Sequence, residues 1–258
     1  MFNWLAARST GGKFILRIDD TDKARCHNDY ESDIKRGLEW LGLEWDAEYR
    51  QSDRFSIYES YKNKLPSPIP PIEFLGWTDN VIGPIAVSDN DRKRIQTARI
   101  FREDGTPLYH FASTVDDFDL HVNTVIRGVD HLSNTCLHIA YHQLIAPDAP
   151  APRYFHIGLI AGSNGKKMSK RNGDDAFLLK HYIEAGYCKE SVFNCLLRLG
   201  WGPKIDDKST SMISVLDALD MFLPKGKMSA SPSRFDKAKL DSWDKRWKKL
   251  ILAQSVIL

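Results

Sequence analysis

Gly165-Lys166-Lys167-Met168-Ser169-Lys170-Arg171-Asn172-Gly173 sets four cations in six positions around one Met-Ser pair, with a glycine at either end. An apolar, strand-like run from Phe155 to Ile160 leads into it, and a helix-like segment begins near Asp174. Terminal glycines permit a tight backbone turn, and clustered lysines and arginine suit a polyanion such as a nucleotide's phosphates. A hairpin turn carrying solvated charge explains the same residues. The rest of the chain has to decide between the two.

At 258 residues the chain can bury one large core or two modest ones. A hydrophobic content of 42% with 27% charged residues fits a folded, water-soluble chain. No apolar run approaches the roughly 20 residues of a membrane span, and no signal-peptide pattern opens the chain. A formal net charge of +2 excludes a globally basic nucleic-acid binder, so any such contact must come from local patches. Cys26, Cys136, Cys188 and Cys195 have no paired CxxC spacing. They are expected to be free thiols in a reducing, cytoplasmic setting, with no structural zinc.

Upstream of the basic loop, Phe2 to Arg8 is helix-like and Lys13 to Ile18 suits a short buried strand. Asp19-Asp20-Thr21-Asp22 follows that strand directly. Carboxylates at a strand's C-terminal end sit where open α/β sheets bind ligands, although helix-capping aspartates in an acidic turn read the same way. Asn28 to Leu43 predicts an amphipathic helix with Tyr30, Ile34, Leu38 and Leu41 on its apolar face, and Trp40 and Trp45 as packing residues. Residues 53–65 predict another helix, stopped by a rigid boundary at Pro66, Pro68, Pro70 and Pro71. Residues 72–100 read as short β-like pieces interrupted by Gly83-Pro84 and the charged run Asp89 to Arg94.

Beyond a turn at Asp104-Gly105-Thr106-Pro107, Tyr109, His110, Asp116 and Asp117 cluster. Thr124 to Ile126 is strand-like and ends at Arg127-Gly128, with Asp130 and His131 next and a helical pattern from Leu132 to Ile145. Downstream of the basic loop come helical segments at 175–185, 190–199 and Val215 to Phe222. Lys225, Lys227, Arg234, Lys237 and Lys239 then make a basic run, either a solvated face or a binding patch. Strands with polar C-terminal clusters, alternating with helices, predict a doubly wound α/β domain, and the helices after it predict an α-helical extension.

Four of these stretches, taken together, resemble the class I aminoacyl-tRNA synthetases, specifically the glutamyl-tRNA synthetases. FNWLAARSTGGKFILRIDDTDKAR resembles the second half of that family's first crossover and its RIEDTD segment. DGTPLYHFASTVDD followed by VIRGVDHLSNT resembles its substrate-pocket strands. GKKMSKRNG resembles the KMSKS signature loop, and SASPSRFDKAKL the start of the tRNA stem-contact region. The resemblance implies a Rossmann-type doubly wound parallel sheet and ATP-dependent ligation of glutamate to tRNA(Glu) through a glutamyl-adenylate. ATP with Mg2+, glutamate and tRNA(Glu) are the implied ligands, for a cytoplasmic monomer. By position, Lys170 would pair with the ATP phosphates, Lys167 and Arg171 would add to that field, and Ser169 and Met168 complete the loop. Asp130 and His131 fall where the family contacts adenosine. Tyr109, Ser113 and Arg127 match the amino-acid pocket, with Arg127 a carboxylate partner. Asp19 stands where the family has a glutamate that receives the substrate's ammonium group, one methylene shorter here. Arg25 matches a position near the tRNA acceptor end.

The chain also departs from the family pattern. The family's first strand and HIGH signature would precede Met1, and His156-Ile157-Gly158-Leu159 matches an ordinary apolar strand instead of replacing HIGH. Weak or absent adenylate formation is the expectation that follows. The implied organisation is an N-terminal part of the catalytic domain at 1–65, a shortened acceptor-binding insertion at 66–100, the second catalytic half at 101–188 and a stem-contact-like helical region at 189–258. Two rivals stay open: a non-catalytic paralogue that binds ATP or tRNA, and a related synthetase charging glutamine or a modified tRNA base.

Overall fold

The structure is a computed structural model and describes residues 1–21, 28–65, 69–70, 74–162, 165, 168, 178–203 and 211–255. In chain order it begins with α1 (Phe2–Ser9), β1 (Ile15–Ile18), α2 (Asn28–Trp40), β2 (Ala47–Arg50), α3 (Phe55–Lys62), β3 (Gly76–Asp79), β4 (Gly83–Ala86) and α4 (Asp89–Gln96). It continues with α5 (Tyr109–Asp119), β5 (Thr124–Gly128), α6 (Leu132–Ile145), β6 (Arg153–Ile157) and β7 (Ile160–Ala161). The last elements are α7 (Leu179–Glu184), α8 (Lys189–Arg198), β8 (Trp201–Pro203), α9 (Val215–Met221), β9 (Gly226–Met228), β10 (Ser233–Arg234) and α10 (Lys237–Ser255). Short 3-10 turns at Gln51–Arg54 and Val129–His131 follow β2 and β5. The class is α/β. The chain divides into two units, one formed by residues 15–26 and 47–157 and the other by 1–14, 27–46 and 158–258.

In the first unit, β1 pairs parallel with β2, Ile15 opposite Ala47, and β5 pairs parallel with β6, Thr124 opposite Arg153. Among the described residues these are separate two-stranded ladders. Parallel strands need crossover helices over their faces, and α5 and α6 supply an apolar layer. Phe111, Ala112 and Val115 of α5 are fully buried, and the Phe111 ring meets Tyr141 of α6 edge-on with centroids 6.1 Å apart. The hairpin β3–β4 turns through Asp79, whose Oδ1 accepts the backbone N–H groups of Val81 and Ile82, each at 2.9 Å. Gly83 closes that turn at φ +100, a backbone setting in which a side chain would be strained. The charged run Asp89 to Arg94 is a helix, α4, not a break between strands. Ser88 caps it by accepting from Asp91 N while the Asp91 carboxylate answers the Ser88 N–H, a reciprocal box that offsets the poor apolar content.

In the second unit, α1 packs on α9, with the rings of Phe2 and Phe222 5.8 Å apart. Trp201 of β8 stacks on Phe222 and donates its indole N–H to the Phe222 carbonyl at 2.9 Å. Helix α10 lies along α8 and sends the buried Asp244 to the start of that helix, where it accepts from Cys188 N at 2.8 Å. Helix α2 corrects the expectation drawn from its pattern: Tyr30 and Ile34 are half exposed, whereas Leu41 is buried. Its packed face runs through Gly37 instead, where an added Cβ would stand 2.9 Å from Leu179 Cδ1 of α7. A glycine lets Leu179 fill a place that a larger residue would take. Among the described residues no helix is long and apolar enough to cross a membrane.

Candidate functional site

The C-terminal ends of β1 and β5, in the first unit, carry the polar residues that the sequence singled out. Asp19 follows β1 directly, Arg127 is the penultimate residue of β5, and Asp130 and His131 form the 3-10 turn after it. Ser113 lies buried in α5, and Tyr109 opens that helix with its ring about one-third exposed.

Arg17 joins several of these residues and was not singled out from the sequence. Its Nε donates to Asp19 Oδ1 at 2.7 Å, its Nη1 to Asp117 Oδ1 at 2.9 Å, and its Nη2 to Ser113 Oγ at 2.9 Å. Burial alone would lower the guanidinium's pKa, but Asp19 and Asp117 raise it above its ordinary value. Burial pushes the Asp117 carboxyl up, against the pull of Arg17. Behind them Asp116, with no exposed surface, accepts from Gln51 Nε2, Arg54 Nε and Tyr58 Oη at 2.8–3.0 Å. That carboxylate is fully used by the fold. Asp20 is likewise occupied, by Ser52 N and Oγ at 2.8 Å and by Arg50 at 3.2 Å, whereas the Asp19 side chain, paired with Arg17, stays about one-third exposed.

Tyr109 and Arg127 belong to the same charged neighbourhood. Burial first, then the Asp19 charge, raise the Tyr109 phenol, while the Arg127 charge lowers it. Arg127 itself lies over the Tyr154 ring, 5.5 Å from its centroid. Its Nε donates to His156 Nε2 at 3.2 Å and its Nη2 to Thr135 Oγ1 at 2.7 Å and the His131 carbonyl at 3.4 Å. All three acceptors are neutral or backbone groups. Among the described residues Nη1 has no hydrogen-bond partner, and burial lowers the pKa of the guanidinium. Among the described residues its hydrogen bonds thus go to neutral partners, and the Asp117 and Asp130 charges only oppose the effect of burial.

His156 of β6 is fully buried, and its Nδ1 lies 2.7 Å from Asp79 Oδ2, also fully buried. Burial lowers the imidazole pKa and the Asp79 hydrogen bond opposes it. Neither member of this pair is given a site role by the sequence, because Asp79 falls in the stretch that says least and His156, once set aside as a HIGH replacement, reads as one residue of an apolar strand. A second pair, His110 Nδ1 and His138 Nε2 at 3.1 Å, packs beside Tyr109. Burial and then the Arg94 charge take His110 down to about 4.

Of the basic loop, the structure describes two residues, both in the second unit. Gly165 takes φ +73 and donates its N–H to the Gly162 carbonyl at 3.0 Å. Met168 is buried, and its N–H reaches the Ile160 carbonyl of β7 at 3.0 Å. Lys167, Ser169, Lys170 and Arg171, with Arg25, lie outside the described residues. Among the described residues no group of three or more histidine, cysteine or acidic side chains converges to hold a metal ion.

A family model for the catalytic domain of class I tRNA synthetases (E and Q) matches residues 1–67 and 69–242. The chain is 36% identical over 269 residues to a glutamate–tRNA ligase of Akkermansia muciniphila, covering 96% of this chain and 59% of that protein. It is 34% identical over 293 residues to glutamate–tRNA ligase 1 of Helicobacter pylori, covering 93% of this chain and 61% of that protein. The chain thus spans about three fifths of the length of these curated relatives. Its fold is similar to the crystal structure of a glutamate tRNA ligase from Elizabethkingia meningosepticum in complex with its amino acid. The TM-score is 0.83 at 24% identity, over 96% of this chain and 65% of that one.

Proposed function

The chain belongs to the class I tRNA synthetases of the E and Q group, and we propose that it carries the glutamate-activating site of a glutamate–tRNA ligase. The observation that carries this reading is Arg127, whose guanidinium, among the described residues, hydrogen-bonds neutral partners and leaves Nη1 over. Charge and fork geometry favour a carboxylate over a carboxamide there, and so glutamate over glutamine. The side-chain carboxylate is the one assigned to Arg127, since the α-carboxylate must stay free to react.

Asp19, already held by Arg17, keeps further acceptor capacity for the substrate's ammonium group. Tyr109 and Ser113 complete the amino-acid pocket. ATP enters as its Mg2+ complex, the ion held mainly by phosphates and water. Lys167, Lys170 and Arg171 contribute positive charge to the phosphates, with Ser169 and Met168 in the same loop, and Asp130 and His131 meet the adenosine. The α-carboxylate oxygen attacks the α-phosphorus, the bond to the bridging oxygen breaks, and pyrophosphate leaves with that electron pair. A ribose hydroxyl at the tRNA end, near Arg25, then attacks the acyl carbonyl and releases AMP. The protein's part is orientation and charge stabilisation, without a covalent nucleophile.

Calorimetric titration of the full chain with glutamate, glutamine and ATP tests the reading. Glutamate binding at least tenfold tighter than glutamine is expected, together with a loss of about 10²-fold in glutamate affinity, and none for ATP, in Arg127→Met. Equal binding of the two amino acids, or an Arg127→Met protein with unchanged glutamate affinity, would overturn it. Pyrophosphate exchange with and without tRNA separates a catalytic chain from one that only binds.

A further inference from the structure

The hydrogen-bond donors around Arg127 leave His156 one tautomer. Arg127 Nε carries a single hydrogen and can only donate, so its partner, His156 Nε2 at 3.2 Å, must be a bare acceptor. A neutral imidazole with Nε2 bare has its proton on Nδ1, and the group facing Nδ1 must then accept. Asp79 Oδ2 does so at 2.7 Å. The other oxygen, Asp79 Oδ1, is committed to the N–H groups of Val81 and Ile82, with that of His156 further off at 3.4 Å. Thr135 Oγ1 accepts from Arg127 and can give its own hydrogen to the His131 carbonyl at 3.3 Å, so it does not need a donor at His156 Nε2.

The hairpin that supplies Asp79 is itself fastened to β6. Asn80 donates both its backbone N–H and its side-chain amide to the Tyr154 carbonyl, at 2.9 and 3.0 Å. Trp77 stands edge-on to the His156 ring at 5.7 Å, and Tyr154 stacks on it at 6.4 Å. Aromatic walls therefore fix the plane of the imidazole while Asp79 fixes its proton.

We propose that Asp79 and His156 are positioning residues for Arg127: by holding the Nδ1–H tautomer they lock Nε on His156 and leave Nη1 as the nitrogen offered to an amino-acid carboxylate. This rests on the reading of Arg127 as that carboxylate's partner. It also gives the β3–β4 hairpin a part in the amino-acid pocket.

Asp79→Asn is the informative variant. Its amide oxygen would stay with the Val81 and Ile82 N–H groups and its NH₂ would face His156 Nδ1. That partner forces the proton to Nε2, against Arg127 Nε–H.

Long-range proton–nitrogen correlation spectra of the full chain, with His156 assigned by its disappearance in His156→Gln, should show a protonated Nδ1 in the wild type. A protonated Nε2 there overturns the proposal. In Asp79→Asn the proton should move to Nε2, and glutamate affinity should fall about tenfold, the size of one hydrogen bond to a charged group, with ATP affinity unchanged. His156→Gln, which keeps an acceptor near the Nε2 position, should bind glutamate better than His156→Leu. Wild-type glutamate affinity in folded, ATP-binding Asp79→Asn and His156→Leu proteins overturns the positioning role if Arg127→Lys loses affinity. If Arg127→Lys also keeps its affinity, the reading of Arg127 is what fails.

Discussion

Arg17 and Ser113 meet at 2.9 Å although 96 residues separate them, and the same guanidinium spans Asp19 and Asp117. One cation thus ties the end of β1 to the face of α5 and holds in place the carboxylate proposed to receive the substrate's ammonium. Replacing it removes the fold's counter-charge as well as the site's frame.

Arg17→Leu takes the 2.9 Å cation from Asp117, while Asp116, 3.6 Å from Arg17, keeps Arg54 at 2.8 Å. Breaking a buried charge network from one side costs about 3 kcal/mol, which urea denaturation at neutral pH should register. Arg17→Lys supplies the charge but only one nitrogen for three directions, so it should recover part of the stability and little of the arrangement. A Leu variant as stable as wild type would mean that the network contributes nothing net.

Much of the fold was legible because periodicity reports burial directly. The Leu132–Ile145 helix is α6 as its apolar spacing implied, and Val215 and Thr124 open α9 and β5 as expected. Legibility failed where a neighbour supplied what the local sequence lacked. Tyr30 and Ile34 look like a core stripe, but α7 packs over Gly37 instead. Asp89 to Arg94 has too few apolar residues to announce a helix, and only the Ser88–Asp91 spacing marked its start. For the proposed site, the motifs and the family resemblance suggest Asp19, Tyr109, Ser113 and Arg127. Arg17 and the Asp79–His156 pair could not, since their roles exist only through partners distant in sequence.

Gly226 is set against Trp201, where an added Cβ would come within 2.0 Å of the indole nitrogen. The indole cannot easily retreat, because it is buried, stacked on Phe222 and bonded to the Phe222 carbonyl. Gly226→Ala should therefore cost about 2–3 kcal/mol by overpacking. Adding Trp201→Phe, with its smaller ring, should return part of that loss, a coupling that a double-mutant cycle on denaturation midpoints would reveal. Simple additivity would show that the clash relaxes elsewhere.

Asp244 links stability to acid in the second unit. Burial would raise its pKa, but hydrogen bonds from Lys248, Cys188 and Ser191 hold it below its ordinary value of 3.8. A carboxyl depressed on folding stabilises in full above the unfolded value and loses that contribution as pH falls through the folded one. Asp244→Asn should cost about 1–2 kcal/mol at neutral pH, with the deficit constant until pH falls below 3.8 and shrinking beneath it. Urea titrations across that range measure the difference, and a deficit that does not depend on pH would assign the loss to packing alone.

Asp19 is the sharpest probe of the amino-acid pocket, because its charge has two candidate uses. One is structural, the 2.7 Å pair with Arg17; the other is reception of the substrate's ammonium. Glutarate separates them: it keeps both carboxylates of glutamate and lacks the amine. If Asp19 receives the ammonium, the wild type should prefer glutamate to glutarate by about tenfold or more, and Asp19→Asn should erase most of that preference while leaving glutarate binding nearly unchanged. If Asp19 serves only Arg17, the substitution should weaken both ligands equally, since each would feel the same loosened frame. Asp19→Glu adds the one methylene that distinguishes this position from the family's glutamate, and should keep the preference for the amine. A preference for glutamate that survives in Asp19→Asn would move the ammonium site elsewhere, with Tyr109 the next group to substitute.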